Sequence, residues 1–155
     1  MESRLRVAGH PIHPILVMFP LGLFAMAVIF DVAHLAGAPA MLGAVAYWTV
    51  AAGLIGGVLA ALAGAVDLMF IPNGTAAKRA GVMHGLINMG VLLLFAVILM
   101  LRMASHDRVA GGGLLTVELL ALAGAFVGAW YGGELVNRLS APTAFAQPAA
   151  GHRTF

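Results

Sequence analysis

The sequence predicts an all-α integral membrane protein, an up-down four-helix bundle with its N- and C-termini on the same side. Three observations predict it. Of 155 residues, 62% are hydrophobic and only 9% charged. Four apolar runs each approach the roughly 20 residues that a helix needs to cross the hydrocarbon layer. Glycine and proline collect in the gaps between them. Soluble domains carry about 25% charged residues, and a soluble fold this apolar would lack the polar groups to cover its surface.

The first run extends from Ile15 to Ala36, the second from Leu42 to Ile71, the third from Met83 to Leu101 and the fourth from Leu114 to Val136. In lipid, each backbone N–H and C=O must be satisfied within the segment, so such runs become helices. The second run is longer than a bilayer requires and is expected to tilt or project. Gly37 and Pro39 close the first helix, Pro72-Asn73-Gly74 turns the chain after the second, and Gly111-Gly112-Gly113 precedes the fourth. Residues 1–139 form the membrane domain. From Ser140 onward the chain is rich in Ala and Pro without periodicity, and 140–155 reads as a flexible tail. Arg4 and Arg6 before the first run, with small residues at Ala36-Gly37-Ala38, resemble a secretory signal. Asp31 and His34 interrupt the approach to that cleavage site, so the run is expected to be kept as a span.

Six of the eight basic residues, Arg4, Arg6, Lys78, Arg79, Arg138 and Arg153, fall on one side of the four spans. Arg102 and Arg108 fall on the other. The positive-inside rule then puts both termini and the second loop in the cytoplasm, as for a multi-pass protein of a bacterial inner membrane. The formal net charge of +2 is a topology signal rather than a nucleic-acid footprint, and no basic run with interleaved aromatics occurs. With no cysteine, the chain cannot hold thiolate-bound iron–sulfur clusters or covalent c-type haem. Gly53, Gly57, Ala61 and Ala65, and again Gly124, Gly128 and Gly132, form rows of small residues that let helix backbones approach closely. Such rows serve packing within the bundle or, alternatively, a homodimer face.

Ionisable groups in an apolar bundle are functional candidates by default, and here they gather. His10 and His13 precede the first helix, Asp67 lies near the end of the second, His84 and Asn88 open the third, and Glu134 with Asn137 and Arg138 closes the fourth. The predicted topology brings all of them to the cytoplasmic end. His84 and Asn88 share a helix face. His10, His13, His84, Asp67 and Glu134 are the candidate ligands, with Asn88, Asn137 and Arg138 supporting them. Imidazoles and carboxylates in one layer suit a transition metal. Alternatively, His13 and His84, which begin parallel helices, suit the axial positions of a b-type haem. Met18 and Met83 are thioether candidates. A purely structural reading makes the same layer an ionic latch, with Glu134 paired to Lys78, Arg79 or Arg138 and Asp67 accepting bonds from the third helix. The opposite end carries a thinner set: the pair Asp31 and His34 on one face, Glu118 in the fourth helix, and His106 and Asp107 in a solvated loop.

The segments His10-Pro11-Ile12-His13-Pro14, Phe19-Pro20-Leu21-Gly22, Gly64-Ala65-Val66-Asp67, His84-Gly85-Leu86-Ile87-Asn88 and Gly132-Gly133-Glu134-Leu135-Val136 occur in that order. Together they resemble the bacterial family of four-span membrane domains of unknown function (domain of unknown function 2231) with an N-terminal His-Pro-x-His-Pro. The resemblance extends to about Leu139. It implies a fold and a membrane location, and maps any family site to His10, His13, Asp67, His84 and Glu134. Some relatives are joined to a Rieske-type iron–sulfur domain, which implies redox work at the membrane. Relatives often continue with an aromatic-Arg-His-Gly run, whereas here Asn137-Arg138-Leu139-Ser140 stands in its place without the histidine.

Three functions compete on this reading: a metal- or haem-binding redox subunit, a non-catalytic accessory subunit of a larger membrane complex, and a proton-coupled carrier titrating at Asp67 and Glu134. No hydrolase triad, phosphate loop or nucleotide fingerprint is present, so a stand-alone enzyme is not expected.

Overall fold

The computed structural model describes residues 6–8 and 10–140, with the backbone alone at 6, 11 and 138–140. The expected tail lies outside these residues except for Ser140, which ends the last helix. Two short strands, β1 (Arg6–Val7) and β2 (His10–Pro11), pair antiparallel ahead of the bundle. Four helices follow: α1 (Ile12–Leu35), α2 (Met41–Met69), α3 (Ala76–Met103) and α4 (Gly112–Ser140). All four are long and apolar enough to cross a membrane.

All four helices start earlier than the apolar runs predict, α2 by a single residue and α3 by seven, because helix and hydrocarbon contact are different properties. Hydropathy marks only the lipid-covered stretch, while the helix continues through its polar ends. In α1, Pro14 occupies the first turn, where its missing N–H leaves no bond unmade. In α3, Thr75 caps the first turn by accepting the Lys78 N–H at 3.1 Å, eight residues before the apolar run begins. Gly37 ends α1 in a left-handed conformation (φ +99°). The Gly37 N–H donates to the His34 carbonyl and the Ala38 N–H to that of Ala33, the reciprocal pair of a Schellman cap.

Helix α1 packs most closely on α2, and α3 on α4, so the bundle is a pair of hairpins. Its core contains Phe24, Ala27, Ala46, Val50, Val91, Phe95, Ile98, Ala121 and Ala125. At the centre Phe24 stacks on Phe95, with ring centroids 4.0 Å apart and planes within 3°. The glycine rows face inward. A β-carbon at Gly53 would lie 2.7 Å from the Phe24 ring, one at Gly57 would collide with Leu92, and one at Gly124 would lie 3.2 Å from Val91. They therefore serve packing within the chain. Leu62, Leu86, Leu120 and Trp130 are exposed on the outside, the pattern of a surface solvated by lipid.

The two hairpins also repeat one another, which the sequence alone does not advertise. Asp31 and Arg102 are in contact 71 residues apart. The same interval separates His13 from His84 and Phe24 from Phe95, and each of these pairs also meets across the bundle. On α2 and α4 a common interval relates Ala60 to Gly128 and Gly64 to Gly132. The hairpins thus face each other across an approximate two-fold axis along the bundle.

Candidate functional site

His13 reaches from the first turn of α1 to α2, where its Nδ1 donates to the Ala60 carbonyl at 2.8 Å. His84, in α3, does the same across the second hairpin, its Nδ1 donating to the Gly128 carbonyl at 2.8 Å. A carbonyl oxygen only accepts, so both Nδ1 atoms carry the proton and both Nε2 lone pairs are left available. Asn88 Nδ2 also lies 3.3 Å from His84 Nδ1, but its shorter bond, 2.8 Å, is to the His84 carbonyl. We assign Asn88 to that carbonyl, since a protonated Nδ1 has no lone pair to offer.

Glycine makes each of these bonds possible. A β-carbon at Gly64 would lie 2.7 Å from His13 Cε1, and one at Gly132 would lie 2.9 Å from His84 Cε1. Each imidazole therefore lies directly against a glycine of the partnering helix, one turn beyond the carbonyl it binds. The two rings approach to 5.9 Å between centroids, with planes at 88°. Neither Nε2 has a hydrogen-bond partner among the described residues.

Both rings line a cavity of about 940 Å³ between the hairpins. Its walls are mostly apolar, with small residues Gly57, Ala60, Ala61 and Ala65 from α2 and Gly85 from α3 among larger ones such as Leu21, Leu68 and Leu92. Asp67 and Asn88 are the other polar side chains on it, and Phe24 lies at its inner limit. Phe24 is eleven residues from His13, so the cavity extends roughly 16 Å along the bundle at 1.5 Å per residue.

The other expected site residues lie elsewhere. His10 is exposed on β2, its Nδ1 bonded to the Ala8 carbonyl at 3.0 Å. Glu134 borders a separate hollow of about 230 Å³ with Arg79, Met83 and Tyr131. Asn137 is exposed, and the Arg138 side chain is outside the described residues. Met18 is 68% exposed on the outer face, away from the histidines. Among the described residues, no group of three or more His, Asp or Glu side chains gathers closely enough to hold a bare metal ion. The layer predicted from sequence thus resolves into a paired-histidine cavity and two outlying positions.

The buried ion cluster is at the other end of the bundle. Arg102, Asp31 and Glu118 are all 0% exposed. Arg102 Nη1 donates to Asp31 Oδ2 at 2.7 Å and to Glu118 Oε1 at 3.0 Å. Its Nη2 donates to Asp31 Oδ1 at 3.0 Å and to the Gly43 carbonyl at 2.9 Å, and its Nε to the Arg108 carbonyl at 2.9 Å. All five guanidinium N–H groups are used, and the one side chain ties α3 to α1, α2, α4 and the last loop. To deliver its carbonyl, Arg108 takes a positive φ of 57°, while its guanidinium covers the Tyr47 ring at 5.1 Å. Sequence reading counted Arg102 only as a topology charge. The signal available was its position directly after the third apolar run, in the last turn of α3, where a charge needs a partner. Asp31 and His34 share a face as expected, but Asp31 is spoken for by Arg102.

A family model described as predicted membrane protein (DUF2231) matches residues 9–144. Comparison with curated proteins and with solved structures gave no match.

Proposed function

We propose that this chain, which belongs to the DUF2231 family of predicted membrane proteins, is a b-type haem-binding redox subunit with His13 and His84 as the axial ligands. The observation that carries the proposal is the pair of imidazoles fixed through Nδ1 to backbone carbonyls, with both Nε2 atoms available beside one cavity. An Nδ1–H held by a carbonyl is the usual orienting contact of a metal-bound histidine, and it raises the basicity of the other nitrogen. A bare zinc site takes three or four protein ligands, more than the described residues assemble here. A haem brings its own four nitrogens and asks the protein for only two more. The cavity volume, near the upper end of the roughly 300–1,000 Å³ common for ligand sites, and its apolar walls suit a flat macrocycle.

When bound, haem supplies one-electron chemistry at the membrane. The chain's own residues orient it and keep water away. His13 belongs to one hairpin and His84 to the other, so a haem held by both would join the two hairpins. The arginine and lysine distribution supports placing this end at the cytoplasmic face of a bacterial inner membrane.

The full-length protein, purified in detergent from haem-sufficient cells, is expected to show a Soret band and the sharp visible bands of a six-coordinate b haem on reduction. His13→Ala and His84→Ala should each abolish them while leaving helical circular dichroism intact. A folded wild-type protein that is colourless and takes up no added haemin would overturn the proposal.

A further inference from the structure

The Arg102 cluster sets two carboxyl groups against one guanidinium, with all three side chains removed from solvent. If both carboxyls were ionised, one unit of negative charge would remain uncompensated in a site closed to solvent, where an unpaired charge is costly. Among the described residues, no other cation is paired with the carboxyls. The nearby Arg108 guanidinium is engaged over the Tyr47 and Trp48 rings. The elements around the cluster present these charged or titratable groups: Asp31 and His34 from α1, Tyr47 from α2, Arg102 from α3, Arg108 with the exposed His106 and Asp107 from the loop, and Glu118 from α4.

The two carboxyls are not equivalent. Asp31 places both oxygens on Arg102. Glu118 places only Oε1 there, and its Oε2 is buried with no donor facing it. Asp31 Oδ2 and Glu118 Oε1 converge on one nitrogen, Arg102 Nη1, at 2.7 and 3.0 Å, which holds the two carboxyls at close range. Two carboxylate anions repel at that range, whereas one proton between them makes a bond. A second buried atom without a partner, His34 Nδ1, lies on the same side. The His34 ring borders Gly43, whose carbonyl is bound to Arg102. It is half-buried, between the cluster and the end of the bundle.

We infer that Glu118, Asp31 and Arg102 form a membrane-embedded proton-binding site, with the proton on Glu118 and His34 as its route of exchange with the aqueous side. The proton comes from water, brings the cluster to net neutrality and converts Glu118 into a donor to Asp31. The site is at the opposite end of the bundle from the paired histidines and does not depend on what they bind.

Infrared spectroscopy of the full-length protein at about pH 8, where solvated carboxyls are ionised, tests this directly. The wild type should show a protonated-carboxyl C=O band that shifts in deuterium oxide. The band should be lost in Glu118→Gln and kept in Glu134→Gln. In Asp31→Asn, where one carboxylate then balances one guanidinium, it should also be lost. If Glu118→Gln does not fold, wild-type protein carrying ¹³C at the glutamate carboxyls must show the band displaced. A spectrum without the band, or a band that this label leaves unmoved, overturns the inference. His34→Leu should delay the deuterium shift, and an undelayed shift would remove His34 from the site.

Discussion

At Gly64 and Gly132 the missing side chain matters more than any side chain nearby. Each glycine supports a histidine ring so closely that a β-carbon would fall inside 3.0 Å of it. Gly64→Val should therefore lift the His13 ring off its carbonyl, and the expected result is loss of most haem per mole of protein with helicity unchanged. Gly90→Ala is the control, because a β-carbon there meets nothing within 4 Å, and it should retain the haem. Equal Soret absorbance per protein in both variants would show that the ring position does not matter. Sequence reading found the histidines and the glycine rows but treated them as separate features. Their connection depends on which helix faces which, and spacing within one helix does not encode that.

At the scale of the helix, chain punctuation was legible where it depends on local backbone. Gly37 closes α1 because a residue at φ +99° strains any side chain with a β-carbon. Gly37→Ala should cost about 1–2 kcal/mol, read as a lower thermal unfolding midpoint in detergent, with no change at the paired histidines. An unchanged midpoint would mean that the turn relaxes without this cap. Helix starts were less legible, as α3 shows: its polar first turn from Ala76 through Arg79 precedes the apolar run and is set by the Thr75 cap and by Lys78 Nζ, which donates to the Leu68 carbonyl at 2.7 Å. Of the three basic residues offered as latch partners for Glu134, Lys78 bonds to the backbone of α2.

For the whole molecule, the two-fold relation explains why the candidate site residues lie on the bundle axis. Equivalent positions on α1 and α3 meet there: histidine with histidine, phenylalanine with phenylalanine, and, where the repeat has diverged, Asp31 with Arg102. The opposite charges favour pairing one hairpin with the other over pairing either with its own copy. The membrane orientation is a separate prediction, and the absence of cysteine makes it simple to check. A single cysteine at the exposed Asn73 should react with a membrane-impermeant maleimide only after cells are opened, and one at the exposed His106 in intact spheroplasts. The reverse pattern would place the histidine pair on the outer side.

The sequence by itself determined the solvent, the number of spans and the end at which His13 and His84 lie, because these follow from hydropathy and chain order along one dimension. It also located Asp31 and Glu118 in the membrane. Only the tertiary structure decided that His10 and Glu134 stand apart from the cavity, that the histidines are held by carbonyls of neighbouring helices, and that Arg102 collects both carboxyls. Those outcomes depend on the rotation of each helix about its own axis. In lipid, where every outward face is apolar, hydropathy hardly marks that rotation, so it is fixed by close packing at glycines and by the few polar bonds the bundle contains.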